Sequence, residues 1–309
     1  MKYSISLFSF LLTLIFLEIC VRTFVDNGMN YEIEMMKYAN NFKKVSSNKK
    51  IGIEHQKNLS GKLMGADIFL DKNGFRKNSK IKKNSKKIIM LGDSMTFGWG
   101  ANKTFSHILN ERILTHEVFN AGIGNTNTIM QINNFFENFS KEYAYDMVVL
   151  NFFINDFENV LVKEPNFFQK YSYFYTFLNN KINIILIKLK MKKDWKNFYS
   201  ENYLNNEIKN LTLALINNLN KFCLDNDMQF VIHNIPELRD LKNYKFNKET
   251  KIISEFAKTK NIKFINSYDV LKKYEEKSLW VTDLDPHAND RAHRIISEFL
   301  FDNLNNYLN

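Results

Sequence analysis

From Lys87 onward, short apolar runs alternate with segments of helical spacing, and this alternation constrains the fold more than any other feature of the chain. Lys87-Ile88-Ile89-Met90-Leu91 ends in Gly92-Asp93-Ser94, Val118-Phe119 ends at Asn120-Ala121-Gly122, and the run from Met147 to Phe153 stops at Asn155-Asp156. Gln229-Phe230-Val231-Ile232 leads into His233-Asn234-Ile235-Pro236, and Lys263-Phe264-Ile265 is the fifth run. Apolar runs bounded by turn signals read as strands buried on both faces. Residues 104–115, 127–141, 201–225 and 247–260 carry helical spacing between them, and a last helix is expected from about Asn289 to Leu304. The pattern predicts an α/β fold with a five-stranded parallel sheet between two helical layers, a flavodoxin-like three-layer sandwich. Such sheets place their sites outside the carboxyl ends of the strands.

Residues able to do chemistry gather at those ends. Ser94 follows the first strand, Asn125 lies shortly after the second, Asn155 follows the third, and His287 precedes the last helix. A serine hydroxyl is a weak nucleophile until a base takes its proton. The base is usually a histidine oriented by a carboxylate. Asp285 and Asp283 stand two and four residues before His287. Taken singly, Ser94 reads equally well as a helix cap and His287 as an ordinary loop histidine.

Together the blocks resemble the SGNH/GDSL hydrolase family. The resemblance covers residues 87–306. It rests on Gly92-Asp93-Ser94-Met95 within LGDSMTFGWG, on Asn120-Ala121-Gly122-Ile123-Gly124-Asn125, on Phe153-Ile154-Asn155-Asp156, and on Asp285-Pro286-His287 with Asn289 and His293. It implies the SGNH hydrolase fold, with Ser94 as nucleophile, His287 as base and Asp285 as its carboxylate, Asp283 being the alternative. It also implies an oxyanion hole built from the amides of Ser94 and Asn125 and the side chain of Asn155. Two departures stand out. Asn125 occupies a position where the family usually has glycine, so Gly124 or Gly122 are alternative amide donors; a backbone donor at positive φ tolerates asparagine best among non-glycine residues. Phe153 stands where the third block usually begins with glycine. No metal or organic cofactor is implied.

The N-terminus carries a separate signal. After Met1-Lys2, the residues from Tyr3 to Leu17 are uncharged and strongly apolar, and the run extends to Val21 if Glu18 sits at an interface. A span needs about 20 residues, and no small-x-small cleavage site follows. Residues 1–25 are therefore expected to form an uncleaved signal anchor, a single transmembrane helix, rather than a cleaved leader or a buried core helix. Arg22, Lys37, Lys43 and Lys44 follow the span, which on the positive-inside rule would keep the body in the cytoplasm. Long domains escape that rule, and the resemblance implies an extracytoplasmic (periplasmic) catalytic domain. Mean hydropathy is −0.34, which excludes a polytopic membrane protein.

The remaining features are less specific. Residues 26–87 hold 15 Lys or Arg against 6 Asp or Glu, nearly all of the net charge of +10. The pairs Lys43-Lys44, Lys49-Lys50, Lys82-Lys83 and Lys86-Lys87 are scattered beside no nucleic-acid-recognition pattern, so a solvated basic face is expected and nucleic acid is not. Residues 26–86 read as a polar, irregular, basic juxtamembrane pre-domain with a turn at Asn73-Gly74, and residues 87–309 as the catalytic domain. In it, 157–200 form an aromatic- and lysine-rich insertion, suited to an extra core helix pair, a lid or a membrane interface. His55 is expected to be structural. Cys20 and Cys223 are expected to stay unbridged, and they reveal neither a redox compartment nor an oligomeric state.

The expected activity is hydrolysis of an acyl ester, foremost acetyl, on a glycan or lipid. An O-acyltransferase using the same site on a cell-surface polysaccharide, or a non-catalytic glycan-binding protein of the same fold, are the alternatives.

Overall fold

The computed structural model describes residues 2–77, 82 and 85–308. Helix α1 (Lys2–Cys20) is apolar on all sides and almost wholly exposed. With the turn that follows, it makes a 23-residue stretch, Tyr3–Val25, long and apolar enough to cross a membrane.

The segment after it is more ordered than its composition suggests. Helix α2 (Tyr31–Lys37) is capped by Asn30, whose side chain accepts from the Ile33 amide. Strands β1 (Lys43–Val45) and β2 (Ile53–His55) form one antiparallel hairpin, and β3 (Leu59–Leu63) and β4 (Ala66–Leu70) another. The expectation of an irregular pre-domain is corrected here. These strands have 3–5 residues and bury one face or less, so no long apolar run announces them. Tyr38, Phe42, Leu63, Ile68, Phe97 and Trp99 form a second apolar cluster that joins this segment to the main body. At its end the Arg76 amide donates to the Asn120 carbonyl (3.0 Å), adding a bridge to the sheet edge. Of the basic pairs, Lys83 lies outside the described residues, as do 78–81 and 84.

The main body follows the alternation. Strand β5 (Lys86–Gly92) leads through α3 (Ser94–Phe97) and α4 (Phe105–Arg112) to β6 (His116–Gly122). Helix α5 (Thr128–Asn134), a π-turn and α6 (Ser140–Glu142) lead to β7 (Met147–Phe152). All five main strands are parallel, in the order β6-β5-β7-β8-β9, with β8 at Gln229–Asn234 and β9 at Lys263–Asn266. Every residue of β7, the central strand, is buried, as expected for a strand covered on both faces.

Between β7 and β8 come α7 (Phe167–Tyr171), α8 (Tyr173–Lys188), α9 (Trp195–Asn202) and α10 (Asn206–Asp225). Helix α11 (Asn247–Thr259) precedes β9. After β9 come α12 (Tyr268–Leu271), the hairpin of β10 (Trp280–Thr282) and β11 (Asp285–Ala288), and α13 (Asp290–Leu304). Helix α4 packs with α13, and α5 with α10, on the sheet's helical layers. Neither α7 nor α8 has a fully buried residue, so these two do not form an extra core helix pair, whereas Trp195 and Tyr199 of α9 pack against the main core.

Candidate active site

The sheet order reverses at β5, and there the loops after β5, β6 and β7 open onto a common cleft. Gly92 ends β5 at φ 158°. A side chain there would meet the Thr96 hydroxyl at 2.0 Å, so the turn into α3 closes only with glycine. Asp93 caps α3 by accepting from the Met95 amide (2.9 Å), which leaves Ser94 at the first helical position, facing the cleft. Gly122 serves the same close packing: a Cβ would lie 2.3 Å from the Phe97 amide nitrogen. Asn120 ties the two loops together, its Nδ2 donating to the Thr96 carbonyl (2.8 Å) and its Oδ1 accepting from the Gly122 amide (3.0 Å).

His287, on β11, meets Ser94 across the cleft, with Ser94 Oγ 2.9 Å from His287 Nε2. His287 Nδ1 lies 2.6 Å from Asp285 Oδ1. Asp285 is buried and also accepts from the His287 amide (3.1 Å) and, through Oδ2, from the Trp99 indole (2.8 Å). Burial alone would raise the Asp285 pKa; the charge and hydrogen bonds of His287, with the Trp99 donor, outweigh it and hold the carboxyl below its ordinary value. The same exchange raises the His287 pKa above its ordinary value: burial disfavours the imidazolium, and the Asp285 carboxylate more than compensates. Asp283 is four-fifths exposed and pairs with Lys277 (3.7 Å).

The loop after β6 contributes Asn125, in the left-handed region at φ 64°. Both neighbouring glycine amides are occupied: Gly122 by Asn120, and Gly124 by the Tyr38 hydroxyl (2.9 Å). Among the described residues no acceptor engages the amides of Ser94 or Asn125. The Gly124 carbonyl accepts from Lys43 Nζ (3.2 Å). In a trans peptide the N–H points opposite the C=O, so this contact turns the Asn125 amide away from Lys43. Burial pushes the Lys43 pKa down to about 8.

Tyr38 and His55 complete that support. Burial lowers the His55 pKa to about 3, so the ring is neutral. Its Nδ1 donates to the Gly74 carbonyl (2.9 Å), and its Nε2 accepts from the Tyr38 hydroxyl (2.6 Å), which in turn accepts from Gly124. Lys43, Tyr38 and His55 all lie before residue 87, and no motif marked the first two.

Asn155 lines the pocket in the short turn after β7. Asp156 pins that turn, accepting from the Phe153 amide (2.6 Å) and from Gln131 Nε2 (3.0 Å). Burial and the nearby Asp93 raise the Asp156 pKa well above the usual carboxylate range, and burial raises that of Asp93 as well. Asn155 Oδ1 is enclosed and has no partner among the described residues.

The remaining family-block residues take structural places. Asn289 caps α13, and His293 is buried, with Nδ1 accepting from the Phe105 amide (3.2 Å). The pocket holds about 230 Å³. Tyr31 forms one wall, stacked on His287 at 6.0 Å, and Phe153 lines it too. Arg239 stands on the lining, held by Glu237 (2.6 Å) and stacked over Trp195 (4.0 Å). No group of His, Cys, Asp and Glu able to hold a metal ion occurs among the described residues.

The sequence model of the GDSL-like lipase/acylhydrolase family matches residues 88–300. The chain belongs to this family. It is thus an ester-hydrolysing enzyme by family. Similar solved structures include a member of the lipolytic G-D-S-L family from Veillonella parvula (14% identity, 71% of this chain and 97% of that one, TM-score 0.44). Axe2, an acetylxylan esterase from Geobacillus stearothermophilus, solved as a catalytic mutant, gives 14% identity over 72% and 95%, TM-score 0.46. A family two carbohydrate esterase from Clostridium thermocellum, in complex with cellohexaose, gives 14% over 74% and 66%, TM-score 0.46. No curated protein matches the sequence.

Proposed function

We propose that this acylhydrolase is a membrane-anchored serine esterase that removes a short acyl group, foremost acetyl, from a glycan or lipid. The observation that carries the reading is the 2.9 Å approach of Ser94 Oγ to His287 Nε2, with Asp285 on the far nitrogen. His287 takes the Ser94 proton as Oγ attacks the ester carbonyl, and Asp285 stabilises the imidazolium. The oxyanion is received by the amides of Ser94 and Asn125 and by the Asn155 side-chain amide, each such donor contributing on the order of 10²–10³ in rate. His287 then protonates the leaving alkoxide, and water, activated by the same histidine, releases the acid. Tyr31, Tyr38, Trp99 and Phe153 crowd the pocket, which favours a short acyl group. No described residue of α7 or α8 lines the pocket, so that pair does not shield the acyl-enzyme, which favours water over an acceptor sugar.

In this reading α1 holds the enzyme in the membrane, with the catalytic body on the extracytoplasmic side. A reporter fused after Asn309 reads the orientation: a cytoplasmic signal would reverse it. The chemistry is tested with the full-length protein and p-nitrophenyl acetate. Hydrolysis that vanishes in Ser94→Ala supports the assignment, and undiminished hydrolysis in that variant defeats it.

A further inference from the structure

Helix α8 packs only one side on the protein and leaves the other uncovered. None of its residues is fully buried, yet Leu178, Ile182, Ile185 and Leu189 form an exposed apolar stripe at helical spacing, and Phe167 and Phe168 extend it through α7. A helix apolar and exposed to this extent needs a non-aqueous partner.

The helix also starts at a defined place. Glu18, near the end of the apolar helix α1, accepts from the amides of Tyr173 (3.0 Å) and Phe174 (2.9 Å) and from the Ser172 hydroxyl (2.9 Å), capping α8. Arg22 closes the latch. It pairs with Glu18 (2.7 Å), donates to the Tyr171 carbonyl (2.7 Å) and lies 4.0 Å over the Tyr173 ring. Charged groups among tyrosines at the end of an apolar span are the chemistry of a membrane–water boundary.

We propose that α7 and α8 are a second membrane contact, lying in the headgroup region of the bilayer that holds α1. The proposal rests on the reading of α1 as an anchor. At 1.5 Å per residue α8 is roughly 24 Å long, short of the about 30 Å hydrocarbon core, so it lies in the interface rather than crossing. Lys181, Lys188, Lys190 and Lys192 on and just after α8 suit anionic headgroups. The other side of α8 packs on α2, where the Thr176 hydroxyl meets Met36 Sδ (3.2 Å). Because α2 also supplies Tyr31 and Met35 to the pocket, the membrane contact is one helix away from the catalytic cleft.

The test uses full-length protein in vesicles containing phosphatidylglycerol, in a Cys20→Ala, Cys223→Ala background. A polarity-sensitive fluorophore is attached at Ile185→Cys, Leu12→Cys or Lys251→Cys, with circular dichroism matched to the unlabelled chain. The Ile185 probe should shift to the blue and lose most of its emission to bromolipids, as the Leu12 probe does, while the Lys251 probe on α11 does neither. Ile182→Cys replaces Ile185→Cys if that chain fails to fold. A water-like α8 probe beside a quenched Leu12 probe overturns the proposal while leaving the anchor standing. A blue-shifted α8 probe that bromolipid does not quench also overturns it, since protein rather than lipid then covers the helix. An unquenched Leu12 probe removes the anchor, and the proposal with it.

Discussion

Lys43 Nζ donates to the carbonyl of Gly124 at 3.2 Å, and that one contact joins a basic side chain of the segment after α1 to the peptide whose N–H belongs to Asn125. The Gly124–Asn125 peptide is gripped at its carbonyl by Lys43, and the preceding amide by Tyr38. The N–H on its other side points away from Lys43 and has no acceptor among the described residues; it is the amide proposed above as an oxyanion donor.

Lys43→Met should therefore act on kcat more than on KM. The methionine keeps the apolar stem and loses the donor, and a loosely held oxyanion amide is expected to cost about 10-fold in kcat, less than outright removal of a donor. With the Lys43 pKa pushed down to about 8 by burial, wild-type kcat should also fall as pH rises past 8 and the ammonium is lost. That fall should be absent in Lys43→Met; a variant with the wild-type kcat and the same alkaline fall would show that Lys43 does not hold the site.

The Ser94–His287–Asp285 line makes a second pH prediction. His287 must be neutral to accept a proton, and its pKa lies above the ordinary histidine value, chiefly through the Asp285 carboxylate acting against burial. Activity should rise with pH through that raised value. Asp285→Asn removes the negative charge, so the rising limb should move to lower pH while kcat drops by about 10³–10⁴. A limb that stays in place would mean another group governs it. Asp283→Asn, on an exposed residue, should leave both unchanged.

The donors to the oxyanion separate by chemistry. Asn155→Ala removes a side-chain donor and should lower kcat by about 10²–10³. Asn125 is placed to use its backbone, so Asn125→Gly should retain activity, whereas Asn125→Val, strained at φ 64°, should lose both activity and about 1–2 kcal/mol of stability. Equal losses in Asn125→Gly and Asn125→Val, seen in steady-state kinetics and denaturant titration, would count against a backbone donor.

Tyr38→Phe should be costly without touching substrate chemistry directly. It leaves the buried Gly124 amide and His55 Nε2 unsatisfied, with a loss of about 1–3 kcal/mol for each orphaned group. Urea unfolding in detergent measures it; a midpoint equal to wild type would mean that water replaces the hydroxyl.

The inner strands were legible because they are buried on both faces and therefore written in consecutive apolar residues, β7 being the extreme case, while the edge strands β6 and β9, only partly buried, showed through shorter apolar runs between helices. The hairpins of residues 43–70 were not, because strands such as Lys43–Val45 and Ile53–His55 are short and half polar. The same division holds at the cleft. Ser94, Asn155, Asp285 and His287 sit in local blocks whose spacing can be read. Lys43 and Tyr38 reach the cleft only through tertiary packing, and an isolated lysine or tyrosine in a basic stretch carries no local sign of it. Trp99 lies inside a readable block, yet its bond to Asp285 spans 186 positions.

The position of Tyr31, Tyr38 and Lys43 has a practical meaning for anyone who cuts or transplants this enzyme. The family module begins at residue 88, but the wall beside His287 and the grip on the Gly124–Asn125 peptide are encoded upstream of it. A clone trimmed to the module would carry every signature residue and still lack Tyr31 and Tyr38, which line the cleft. A chimera that joined this module to another protein's N-terminal segment would keep Ser94 without the residues that grip the Gly124–Asn125 peptide. On this geometry the segment from Tyr31 to Lys43 and the module form one unit.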